Sequence, residues 1–225
     1  MELTFHDIET AFGVDESMVY HWLNAQKMPA LKAQSQYFFN SVEVLEWALK
    51  NRIPLTPGAL KLCEKKRNGL DVLTPALGRG GVYRNISGRT REAVLSQVID
   101  LLPLPEAAPR SLLKEMLLSR EQIGTTAIGK GIAIPHVKHP VVLSGIEPLV
   151  GAFFLENEVD FAAFDKQNIS ILFVILSASF KEHLALLSRL AFCLQNPLVS
   201  AALEQRLVDA QELRAVFQVA ESKIE

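Results

Sequence analysis

The stretch SREQIGTTAIGKGIAIPHVKHP, Ser119 to Pro140, joins an arginine at a helix end, a glycine-rich loop with two hydroxyls, a short apolar strand and a histidine after proline. Neutral imidazole is a nucleophile at ordinary pH and can hold a transferred group, which makes His136 the candidate for covalent chemistry. A phosphoryl group in transfer needs cations, hydroxyls and backbone N–H groups aimed at its oxygens. Arg120, Thr125, Thr126 and the backbone from Gly129 to Gly131 supply those types within one loop. Two other patterns in the stretch lack the right context. Gly124 to Lys130 spells G-x-x-x-x-G-K, but Gly131 follows where a nucleotide loop needs Ser or Thr for magnesium, and the helical pattern precedes the loop. His136, His139 and His183 offer three imidazoles to zinc, yet Pro140 and the loop setting deny the helical i, i+4 spacing of the common zinc motif. No metal ligand set and no cofactor are expected.

Working outward, helical spacing recurs in Arg91 to Leu102 and in Arg110 to Arg120. Ile132 to Ile134, Leu149 to Leu155 and Ile169 to Leu176 are short, branched and apolar, as strands covered on both faces should be. Helices are expected over Glu182 to Gln195, Val199 to Leu207 and Ala210 to Glu221. The alternation implies an α/β sandwich, one sheet covered by helices on both faces, beginning near Leu73.

The first 55 residues read as a separate small unit. Thr4-Phe5-His6-Asp7 is a capping box, and Gly13 supplies the stop of a short helix. Asp15 caps a second helix carrying Val19, Trp22 and Leu23; Ala30 to Phe39 reads as a hairpin; and Asn40 or Ser41 caps a helix through Lys50.

At 225 residues, with 49% hydrophobic and 21% charged content, the chain can bury one sizeable core or two modest ones. No signal peptide is apparent, and the longest uncharged apolar stretch, Ile169 to Phe180, is too short for a membrane span. Cys63 and Cys193 lie far apart, which favours unpaired thiols in the cytoplasm. The net charge of -2 is unevenly spread. Lys61, Lys65, Lys66, Arg67, Arg79, Arg84, Arg89 and Arg91 crowd one interval, read as a solvated linker and helix surface.

Ser119 to Pro140 looks like the IIA domain of the fructose, mannitol and nitrogen-regulatory phosphotransferase type, whose signature runs G-S-T-G-I-G-N-G-I-A-I-P-H. Gly124, Thr126, Ile128, Gly129, Gly131, Ile132, Ala133, Ile134, Pro135 and His136 agree, Thr125 keeps a hydroxyl, and Ala127 and Lys130 depart. KEHLALLSRLAFCLQNP, Lys181 to Pro197, resembles the H-L-x-x-L-x-x-L-A helix that brings a second histidine, here His183, to the site, and Val159 to Asp165 matches the family's turn before a strand. The resemblance implies a phosphotransferase with a helix-flanked mixed sheet over 73–225. It assigns catalysis to His136, His183 and Arg120, and phosphate stabilisation to Thr125, Thr126, Gly129 and Gly131. It also implies an HPr-like phosphocarrier protein as donor and a regulatory target protein as partner, with regulation rather than sugar transport as the role.

Residues 1–55 resemble the excisionase or MerR-like winged helix-turn-helix, joined through a basic linker at 56–72. That resemblance would place Ser17, Tyr20, His21 and Lys27 in a DNA groove, with Gln34, Ser35 and Gln36 on the wing. Four basic residues against seven acidic ones leave Met1 to Leu60 at -3, the opposite of what phosphate binding asks for. Two readings stay open for this unit: a transcriptional regulator that binds DNA and senses phosphorylation through its IIA domain, and a fold kept for protein contact.

Overall fold

The computed structural model describes residues 2–33, 36–56, 58–59, 72–137, 147–177, 179–206 and 209–224. At the N-terminus, α1 (Phe5–Phe12) and α2 (Glu16–Ala25) are started by Thr4 and Asp15, whose side chains accept from the Asp7 and Met18 amides. Gly13, at φ 66°, ends α1. A small antiparallel sheet follows, with β3 (Gln36–Asn40) between β1 (Glu2–Leu3) and β2 (Leu31–Ala33). It leads directly into α3 (Ser41–Lys50). The two-residue strand β1 carries no pattern that sequence could reveal, since only pairing with Phe39 and Asn40 defines it.

The larger part is a five-stranded mixed sheet flanked by helices, in the order β4 (Val82–Ile86), β7 (Leu149–Val159), β8 (Ile169–Leu176), β6 (Ile132–Ala133), β5 (Ala127–Gly129). β7 and β8 pair antiparallel, while β4 on β7 and β6 on β8 are parallel. Alternation along β8 explains its unbroken apolar sequence. Ile171, Phe173 and Ile175 join one core, Leu172, Val174 and Leu176 the other, and all are buried. α5 (Arg91–Leu101) and α6 (Arg110–Ile123) cover the second face. The first is covered by α4 (Leu73–Gly80), α7 (Phe180–Cys193), α8 (Pro197–Glu204) and α9 (Ala210–Glu221), and its core runs on without a break into Leu3, Ile8, Trp22, Leu45 and Trp47 of the N-terminal elements. Among the described residues no single helix is long and apolar enough to cross a membrane.

The basic interval differs from its expected role as solvated surface. Arg79, Arg84 and Arg91 donate to the carbonyls of Pro148, Arg206 and Asp160, so these cations stitch loops together. Lys61, Lys65, Lys66 and Arg67 lie outside the described residues, as does Cys63. Cys193 is free and buried, and burial pushes its thiol pKa up to about 12.

α4 has no capping side chain of its own; Glu221, at the far end of α9, does the work. Its carboxylate accepts the Val72, Leu73 and Thr74 amides and the Thr74 hydroxyl, and it meets Arg189 at 3.2 Å. Negative charge at a helix N-terminus is favourable, and this carboxylate is fully enclosed. Replacing it would strand three amides and remove the carboxylate that Arg189 meets. Glu221→Ala is therefore expected to cost about 3–5 kcal/mol in urea unfolding; a loss below about 1 kcal/mol would remove this cap from the account.

Candidate functional site

The sheet itself delivers His136. β6 runs parallel to β8, and the pairing continues past Pro135, whose carbonyl accepts the Ile175 amide, to a bridge between His136 and Ile175. Side chains alternate along this segment: Ala133 and Val137 enter the second core, while Ile132 and Ile134 enter the first. His136, two residues beyond Ile134, consequently shares the face on which α7 packs. Its Nδ1 lies 2.7 Å from the Ile134 carbonyl. A carbonyl only accepts, so the Nδ1 proton is committed there and Nε2 is the nitrogen left for chemistry.

α7 begins at Ser179, whose hydroxyl accepts the Glu182 amide, and so places His183 in its first turn. The two imidazoles stand 5.0 Å apart between centroids. Both are enclosed, at 5% and 4% exposure, and His183 Nδ1 has no hydrogen-bond partner among the described residues. Burial, and after it the charge of His136, drives the His183 pKa down to about 3. His183 is thus a neutral ring whose polar atom awaits an acceptor or donor.

Arg120, near the end of α6, holds the Gly124 carbonyl at 2.9 Å and turns toward the same site. It lines a cavity of about 530 Å³ with Thr125, Thr126, Ile134 and His136. Thr126 is present but engaged: its amide and hydroxyl both donate to the buried Glu121 carboxylate, the hydroxyl at 2.6 Å. Gly129 and Gly131 are not among the residues lining the cavity. With Lys130 between them they form three consecutive left-handed residues, φ 96°, 55° and 70°, that turn β5 back into β6. Glycine suits such a turn because it lacks a Cβ to clash. In this structure, then, the loop glycines make the turn, while Arg120 and Thr125 line the cavity with His136.

The residue that sequence reasoning missed is Glu46, on α3, ninety positions from His136. One carboxylate oxygen lies 3.4 Å from His136 Nε2 and the other 3.3 Å from Arg120. Burial pushes this carboxyl up, but the hydrogen bond and charge of His136, with the charge of Arg120, outweigh it and hold the pKa below its ordinary value. Alongside, Arg52 pairs with Asp165 at 2.7 Å, and Asp165 also accepts the Lys130 amide. Nothing in the local sequence around Glu46 marks it, because its partners come from another part of the fold.

Of the residues expected at nucleic acid, Ser17, Tyr20 and His21 are exposed on α2, where the Tyr20 ring rests 4.8 Å from Phe5. Lys27 instead lines the cavity beside His136. Gln36 pairs through its backbone with Ala33, while Gln34 and Ser35 lie outside the described residues. His139 and Lys138 also lie outside them.

A mixed sheet that sets one enclosed histidine beside a second on a covering helix defines an α/β domain of the IIA phosphotransferase class. Residues 77–220 match the family described as phosphoenolpyruvate-dependent sugar phosphotransferase system, EIIA 2, and the chain belongs to that family. A nitrogen regulatory protein of Pseudomonas aeruginosa is 37% identical over 153 residues, 66% of this chain and 91% of that one. The nitrogen regulatory protein of Escherichia coli (strain K12) is 30% identical over 150 residues, 65% of this chain and 88% of its own length. The solved structure of nitrogen regulatory protein IIA-Ntr from Neisseria meningitidis shares the fold with a TM-score of 0.57 at 23% identity, covering 65% of this chain and 99% of that one.

The depressed His183 pKa has a stability consequence. Between its unfolded value of 6.5 and about 3, the unfolded chain binds a proton that the fold refuses. Stability should therefore fall as pH drops through that window. Glu46 pulls the same way, since a depressed carboxylate pKa gives stability that acid removes. His183→Gln should flatten the dependence of the urea midpoint on pH without abolishing it; an unchanged slope would place the His183 proton elsewhere.

Proposed function

We propose that this chain is a phosphoryl carrier of the nitrogen-regulatory branch, accepting a phosphoryl group on His136 Nε2 from the phosphohistidine of an HPr-like carrier protein. The observation that carries this is the Nδ1 contact with the Ile134 carbonyl, which leaves Nε2 as the nucleophile facing Arg120. In the transfer the Nε2 lone pair attacks phosphorus, the donor's N–P bond breaks, and its electron pair returns to the donor imidazole. No nucleotide, water or metal enters that balance. Arg120 and the Thr125 hydroxyl steady the phosphoryl oxygens, and neutral His183 supplies an N–H that needs no proton rearrangement. The names of the Pseudomonas and Escherichia relatives support a regulatory output over sugar uptake.

Residues 1–55 fit an excisionase or MerR-like winged helix-turn-helix by element order, with 56–72 as linker and 73–225 as the IIA domain. A second reading, a DNA-binding regulator that senses phosphorylation, rests on Ser17, Tyr20 and His21 standing exposed together on α2. Its mark would be duplex affinity that falls steeply with salt. Binding that ignores salt, or none, sets it aside.

Intact-mass analysis after incubation with enzyme I, carrier protein and phosphoenolpyruvate should show one acid-labile phosphoryl group, absent in His136→Ala. His183→Ala should slow the transfer by about 10²-fold or more. Nitrogen-15 spectra should place the phosphorus on Nε2. A label that survives His136→Ala ends this reading.

A further inference from the structure

The position a phosphoryl donor must reach is occupied by the chain itself. Attack requires phosphorus at about 3–3.5 Å from the nucleophile. Glu46 already holds a carboxylate oxygen 3.4 Å from Nε2, with its other oxygen on Arg120, the cation that would face a phosphoryl oxygen. Because Nδ1 is taken by the Ile134 carbonyl, the Glu46 carboxylate stands beside the one ring nitrogen left for attack. Access to it is blocked by one side chain.

Glu46 does not reach the site alone. α3 packs against β5 and α7, Lys50 lies 4.8 Å from the centre of the Phe164 ring, and Arg52 pairs with Asp165. Phe164 and Asp165 belong to the turn before β8. We propose that the N-terminal unit is a lid whose Glu46 stands in for the phosphoryl group, so that lid closure and phosphorylation of His136 exclude each other. This rests on the phosphocarrier reading and adds its regulation.

The polar contacts at the rim are the weaker part of the latch, and the apolar core that Leu45 and Trp47 share with the larger domain is the stronger. The Arg52 side chain is 61% exposed, so water screens the pair from the arginine side even though Asp165 is only 11% exposed. Lys50 lies over the exposed Phe164 ring and is screened in the same way. A phosphoryl group on His136 brings a charge of about -1.5 to -2 against the Glu46 carboxylate. Repulsion, together with competition for Arg120, favours the open arrangement once transfer has occurred. Opening frees Lys50 and Arg52 from Phe164 and Asp165 and turns the phosphorylation state into a change of exposed surface.

The full chain and phosphoramidate, a small chemical donor that needs only Nε2, provide the test. If closure is populated nine times in ten, labelling of His136 is slowed about tenfold, and Glu46→Ala should restore that factor. Arg52→Ala, which removes a latch contact without touching the imidazoles, should also accelerate labelling. Equal rates in all three proteins overturn the lid. Acceleration by Glu46→Ala alone overturns it as well, leaving Glu46 a local charge effect. Backbone hydrogen exchange gives a readout independent of rate: residues 41–56 should exchange faster in the phosphorylated protein, and unchanged exchange rejects the proposal. If phosphoramidate labels His136 with these differences but the phosphorylated carrier protein labels none, the carrier assignment falls and the lid stands. No label from either donor ends the phosphocarrier reading and the lid with it.

Discussion

The parallel pairing that carries the backbone from Ile132 through His136 along β8 fixes the chemistry of the molecule. A sheet has a side-chain period of two, so a slip of one residue would send His136 into the core of Leu172 and Val174 and bring Val137 to the α7 face. The register is held from both sides. Ile132 and Ile134 are buried in the first core, and Ala133 and Val137 in the second. The apolar residues of this strand thus serve the site as directly as its polar ones do. They specify which way one imidazole points.

From that placement the electrostatics follow. His183 is set 5.0 Å away on a covering helix and is too enclosed to share a positive charge with His136. Two imidazoles in such a space differ by environment, and burial keeps His183 neutral. Arg120 keeps the region electropositive, and its grip on Gly124 ties the guanidinium to the very loop whose turn leads into β5. Carboxylates are then the natural occupants of the space. Glu121 is spent on Thr126 from within the domain, while Glu46 arrives from outside it.

Much of this was legible from residue patterns, and the parts that were not share a cause. Strand Ile169–Leu176 appears with the boundaries its branched apolar run sets, and Ile132–Ala133 falls one residue short, because both are short segments enclosed on two faces. Val82–Ile86 went unread: its partly exposed residues at the sheet edge lack both alternation and continuous apolarity. α4 was hidden for another reason, since its cap is Glu221 at the opposite end of the domain. The histidine pair was readable through two motifs in tandem. Glu46 was not, because a contact between residues ninety positions apart leaves no spacing to detect.

The charge of the N-terminal unit acquires a meaning in this arrangement. An N-terminal unit that bears -3 is poorly suited to hold a polyanion, since affinity there comes chiefly from cations neutralising phosphates. The same acidity suits a surface facing Arg120 and His136. The few cations it has are placed accordingly: Lys27 lines the shared cavity, while Lys50 and Arg52 bind Phe164 and Asp165 at the rim of the site. An acidic side chain toward Arg120 and His136, with basic ones toward Asp165 and Phe164, is a charge pattern that suits contact within the chain. A free duplex reader would carry the reverse.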